Sequence, residues 1–137
     1  MPSYSSASQA ILGQLHPDLQ RWLRSLILVV DHKVIEGPRD PDLQRRYFET
    51  GLSKVPPGPL APHTLRPCQA VHLLPYPWRL PSLDGQEARE RFHLFAGVAL
   101  EHARAMGIRV RWGGDWNENY DPRDNSFDDL LHYELRG

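Results

Sequence analysis

Apolar residues recur at helical spacing in the longer stretches of the chain and alternate with polar ones in the shorter. Leu19, Trp22, Leu23, Leu26 and Ile27 form one stripe and predict a helix over 16–30, with Pro17 and Asp18 suited to its first turn. Phe92, Phe95, Ala96, Ala99 and Ala103 form another and predict the longest helix, 87–107. Between them "DPDLQRRYFETG" predicts a helix over 40–51, with Asp40 as N-cap and Gly51 as the stop. The segments 33–37, 68–76, 108–112 and 130–135 read as strands. Proline-rich 53–67 can be neither a helix nor an inner strand, and 77–86 and 113–129 are further loops. Residues 1–14 are small and polar and read as an arm, leaving 15–137 as one domain. Mixed helices and strands, with antiparallel pairing expected among 68–76, 108–112 and 130–135, make the class α+β.

Composition narrows the function. Sixteen basic residues against 17 acidic ones leave a net charge of −1, which argues against a general electrostatic grip on nucleic acid or an anionic membrane. No apolar run approaches the ~18 residues that a membrane span needs. The start, "MPSYSSASQAILGQ", lacks the basic and apolar regions of a secretory signal, so a cytoplasmic protein is expected. A lone cysteine, Cys68, excludes an internal disulfide and reads as a small buried hydrophobe.

The candidate chemistry lies where long loops feed strands that carry histidine. His132 on the last strand, with Asp129 at its entrance, can converge with His63 and His72 of "PHTLRPCQAVHLLP". Neutral imidazoles are good zinc ligands, and a carboxylate beside them can take a proton from a water. Asp115, Asn117, Asn119 and Asp121 alternate as oxygen ligands do in a calcium loop, with Asp124 beyond. Tyr120 and Ser126 depart from that pattern, and a solvated loop of Asx turns is the plainer alternative. Arg39, at a strand end, could hold a carboxylate or polarise a carbonyl. No Ser-His-Asp or Cys-His-Asn pattern has an anchor in the chain.

Three stretches stand out together: "ARAMGIRVRWGGDW", "VIEGPRDPDLQRRYFETGLSK" and "FDDLLHYEL". The first is similar to the A-x-x-x-G-I-x-x-R-W-G-G-D-W run, the second to the E-G-x-R-T-x-x-x-Q…G-x-S segment and the third to the ending of the phage-type L-alanyl-D-glutamate endopeptidases, relatives of the zinc D,D-carboxypeptidases, which the sequence resembles over nearly its whole length. The resemblance implies a Hedgehog/D,D-peptidase-like fold and a zinc peptidase that cuts the peptide stem of peptidoglycan. His132 would be a ligand, Asp129 the base and Arg39 an oxyanion or carboxylate partner, while Glu134 would orient a ligand imidazole.

The family's other metal motif, S-x-H-x-x-G-x-A-x-D, is altered here. His72 falls at its aspartate and Cys68 at its glycine. Without a gap Leu65 takes the place of its histidine; with a two-residue insertion near Arg66-Pro67, His63 does, with Ala61 at the serine. One outcome is a zinc site of His63, His72 and His132, with Leu65 directed into the core. The other is an inactive relative kept as a phage particle component or wall-binding module. A metallopeptidase of other specificity is a third. An endolysin of this kind would act on the wall after passing a separate pore, or as part of the virion.

Overall fold

The computed structural model describes residues 2–56, 58, 61–77, 85–125 and 128–136. Among these residues four α-helices, α1 (Ser6–Leu12), α2 (Pro17–Leu26), α3 (Pro41–Glu49) and α4 (Gln86–Ala105), accompany four strands, β1 (His32–Glu36), β2 (Ala70–Pro75), β3 (Val110–Gly113) and β4 (Asp129–Leu135). The sheet is antiparallel throughout, in the order β1-β2-β4-β3. The predicted α+β class and the shared sheet are therefore what the chain adopts.

Alternation along β2 and β4 divides the sheet into two faces. Val71 pairs with Tyr133, and both are fully buried against α2 and α4. The Tyr133 ring meets Trp22 at 5.8 Å and Phe95 at 6.1 Å, and Trp22 Nε1 donates to the Ala99 carbonyl at 3.0 Å. Both predicted helical stripes are buried, all but Phe92 in this core, and Phe92 packs in a second cluster with Leu74 and Ala88. On the opposite face His72 pairs with His132, and Arg111 pairs with Glu134.

Helix ends follow the expected chemistry. Asp40 accepts from Asp42 N at 2.7 Å, and Gly51 has φ of +82° after α3. Helix α2 stops earlier than predicted, at Leu26. Ile27, Val29 and Val30 are β-branched and poor helix formers, and the chain turns there into β1.

The arm expected over 1–14 is instead a built part of the structure. Ser5 caps α1 by accepting from Ser8 N at 3.2 Å. Leu12 is fully buried, and the Tyr4 hydroxyl, buried too, donates to the Leu23 carbonyl at 2.9 Å. The Ser8 hydroxyl lies 3.2 Å from Val34 O and 3.1 Å from Val34 N, so it occupies backbone groups on edge strand β1. Tyr4, Ser8, Leu12 and Leu15 face inward at helical spacing. That periodicity was visible in the sequence beneath the polar composition.

Candidate metal centre and cleft

His63 stands on a 3-10 turn, Pro62–Thr64, which delivers it from the proline-rich loop. His72 and His132 come from the directly paired positions of β2 and β4. Ring nitrogens of the three lie within 4.8 Å of one another. His63 Nε2 is 3.2 Å from His132 Nδ1, which is 3.3 Å from His72 Nε2. It is thus His63, not Leu65, that joins the cluster. Leu65 is half-buried rather than directed into the core.

The outer nitrogens fix what the inner ones can be. His63 Nδ1 is 2.7 Å from the Gly37 carbonyl, which only accepts, so Nδ1 carries the hydrogen and Nε2 a lone pair. His132 Nε2 faces Glu134 Oε1 at 2.8 Å, leaving its Nδ1 as a lone pair. His72 Nδ1 faces Glu36 Oε2 at 3.4 Å. Lone pairs of His63 and His132 thereby converge, and His72, whose Nε2 lies beside Asp129, adds a third where its hydrogen sits on Nδ1, an arrangement that a cation relieves. Burial, followed by the neighbouring imidazoles and Arg39, pushes His63 down to about 2. Burial likewise holds His72 below its ordinary value, against the pull of Asp129. Both are neutral, and so ligand-ready, at pH 7. The donor set fits a zinc-type ion.

Asp129 Oδ2 lies 3.6 Å from His72 Nε2, beside the converging nitrogens, and its side chain is about one-third exposed. Glu134 bridges His132 to Arg111, at 2.8 Å on each side. Burial raises the Glu134 pKa, but the hydrogen bonds from His132 and Arg111 outweigh it and leave the group below its ordinary value. Arg39 is buried. Its Nε donates to Glu36 at 2.7 Å and its Nη1 to Gln44 Oε1 at 2.7 Å. Gln44 Nε2 in turn reaches Ser53 Oγ at 3.0 Å and Val55 O at 2.6 Å. The segment E-G-x-R…Q…G-x-S is thus one hydrogen-bonded unit behind the histidines.

A cleft of about 450 Å³ opens over this cluster, with Arg39, Lys54, Trp116, Asn125 and Asp129 among its lining. The "RWGGDW" run builds its far wall. Trp112 Nε1 donates to the Leu130 carbonyl at 2.8 Å. Gly113 lies against Asp129, and Gly114 lies under the Trp112 ring, where no Cβ fits. Trp116 sits 5.4 Å from the His132 ring, with the Arg111 guanidinium 5.4 Å over its own. Sequence reasoning assigned no site role to Glu36, Gln44, Arg111 or Trp116. Their signal was their place within the quoted motifs.

The oxygens considered for calcium have other partners. Asp115 accepts from Asn119 N at 3.2 Å and Tyr120 N at 3.0 Å. Asn117 accepts from Asn119 N at 3.3 Å, Asn119 from Asp121 N at 2.9 Å, and Asp121 from Arg123 N at 2.9 Å. Asp124 takes the amides of Asn117 and Asn119. Their alternation is that of Asx turns, which satisfy the loop's own N–H groups, and calcium has no support. Ser126 lies outside the described residues. Cys68 is fully buried, its thiol 3.1 Å from the Ala70 carbonyl and raised in pKa by burial. It takes no part in the cluster.

Helices behind a four-stranded sheet, with a histidine cluster on its open face, define a D-Ala-D-Ala peptidase-like α+β protein. Its sequence matches the phage L-alanyl-D-glutamate peptidase family over residues 2–135, and the chain belongs to that family. Among solved structures it is similar to the L-Ala D-Glu endopeptidase ChiX of Serratia marcescens. The two are 26% identical, with a TM-score of 0.72 over 98% of this chain and 91% of that one. No curated protein matches it by sequence. Among the described residues no helix is long and apolar enough to cross a membrane.

Proposed function

We propose that the protein is a zinc peptidase that cuts the peptide stem of peptidoglycan between L-alanine and D-glutamate, with His63, His72 and His132 as metal ligands. The observation that carries this reading is the convergence of three imidazole nitrogens whose opposite nitrogens face Gly37 O, Glu36 and Glu134. Family membership and the likeness to an L-Ala D-Glu endopeptidase support the substrate. When bound, zinc supplies Lewis acidity toward the scissile carbonyl and lowers the pKa of a water.

The chain's own residues do the rest. The Asp129 carboxylate takes a proton from the attacking water at Oδ2 and passes it to the leaving amine of D-glutamate. Arg39 lines the cleft, and its charge favours the developing oxyanion or a stem carboxylate. Glu134, braced by Arg111, fixes the tautomer and orientation of His132. Trp116 walls the cleft beside that ring and restricts water around the reacting groups. Reaching the wall from a host cytoplasm would require a separate pore.

The test is digestion of purified peptidoglycan followed by identification of the new amino termini. The wild type should expose glutamate amino groups. Asp129→Asn should expose none while keeping its metal, since only the proton acceptor is removed. Release of a different residue would assign another bond. No release by a zinc-loaded wild type would leave the fold as a binding module.

A further inference from the structure

The β1–β2 ladder carries an irregularity that bears on the site. His32, Lys33 and Val34 pair in regular register with Pro75, Leu74 and Leu73, after which the register shifts and Glu36, not Ile35, stands opposite His72. Directly opposed residues of an antiparallel pair point to the same face of the sheet. The bulge therefore brings a carboxylate to the face of His72 and leaves Ile35 40% exposed. Bulges commonly re-aim a side chain at such sites. The same turn of chain supplies Gly37 O to His63, and Arg39 N donates to His63 O at 2.8 Å.

Glu36 is itself held. Its Oε1 accepts from Arg39 Nε at 2.7 Å and Nη2 at 2.5 Å, and Arg39 is anchored on Gln44. That leaves Oε2 toward His72 Nδ1. We propose that Glu36 is a positioning residue for His72. It accepts the Nδ1–H, holds Nε2 as the inward lone pair, and returns beside the imidazole the negative charge that a carboxylate ligand would have supplied directly. This rests on the zinc reading of the three histidines. The need is particular to an imidazole at position 72, because a carboxylate ligand there has no outward N–H to direct. Glutamine cannot replace Glu36. Whichever way its amide turns, the NH₂ meets either Arg39 or the His72 N–H, both of them donors.

A double-mutant cycle on zinc affinity, read by competition with a chromogenic chelator, tests this. Glu36→Gln should weaken zinc binding by about 10–100-fold, the usual cost of losing such an outer partner. In a His72→Asp background, where the N–H is gone, the same change should cost no more than about 2-fold. Equal losses in both backgrounds, or no loss in either, would overturn the proposal while leaving the zinc reading intact. Absence of zinc from the wild type would instead remove the reading beneath it. Should the variants not fold, long-range ¹H–¹⁵N imidazole spectra of the zinc-loaded wild type decide the matter. His72 should carry its hydrogen on Nδ1, and a hydrogen on Nε2 would refute the assignment.

Discussion

The backbone carbonyl of Asp129 fills the space that a Cβ on Gly113 would need. The two residues are partners across β3 and β4, at the point where the register shifts. The glycine is therefore a condition for where the proposed base stands. Gly113→Ala should destabilise the protein by about 1–3 kcal/mol, the range for overpacking, and should lower turnover more than substrate binding. Gly97 is the control: it lies exposed within α4 with nothing near its missing Cβ. Gly97→Ala should stabilise by up to about 1 kcal/mol. Thermal unfolding and peptidoglycan turnover of the two variants check both statements.

The N-terminal helix should behave as core. Leu12→Ala is expected to cost about 2–5 kcal/mol, as for a fully buried leucine. Ser8→Ala, which strips a partner from both backbone groups of Val34, should cost about 1–3 kcal/mol. Denaturant unfolding with unchanged m-values would establish this, whereas near-neutral variants would return the segment to an arm.

Acid should weaken the metal-free protein early. Burial lowers the pKa of His32, and burial, with the neighbouring imidazoles and Arg39, lowers that of His63 to about 2, both from an ordinary 6.5. Between those folded-state values and 6.5 the unfolded chain binds more protons, so stability rises with pH across the window. The melting temperature should therefore fall as pH drops below about 6.5. Glu134, depressed below its ordinary 4.5, adds its loss only at lower pH. His32→Gln should reduce the slope above pH 5. A flat profile from pH 7 to 5 would contradict the neutral state of these rings.

The polar loop should be indifferent to calcium. Millimolar calcium should leave the melting temperature of the wild type and of Asp121→Ala unchanged. Asp115→Ala should loosen the loop regardless, because it removes the acceptor of Asn119 N and Tyr120 N. A calcium-dependent rise in the wild type alone would reverse this.

Helices α2 and α4 were legible because Trp22, Leu23, Phe95 and Ala99 repeat at helical spacing, and Asp40 and Gly51 marked the ends of α3 by capping chemistry. The meeting of His63, His72 and His132 was legible mainly through motif resemblance, since spacing alone does not bring positions 63 and 132 together. Helix α1 was obscured because its inward face includes a serine, whose hydroxyl serves backbone rather than solvent. Glu36 could not be read as a partner of His72, because an alternation count places Ile35 there and only the bulge moves it. Asp115 to Asp124 misled for a reason of chemistry: side-chain oxygens that bind calcium and those that close Asx turns recur at the same spacing.

The most direct measurement is the zinc content of the wild type, purified without chelator, beside His63→Ala and His132→Ala. The account requires one zinc ion per wild-type chain and loss of that ion in both variants, with their fold retained. A wild type that neither carries nor takes up stoichiometric zinc, or variants that keep it, would contradict the three-histidine centre.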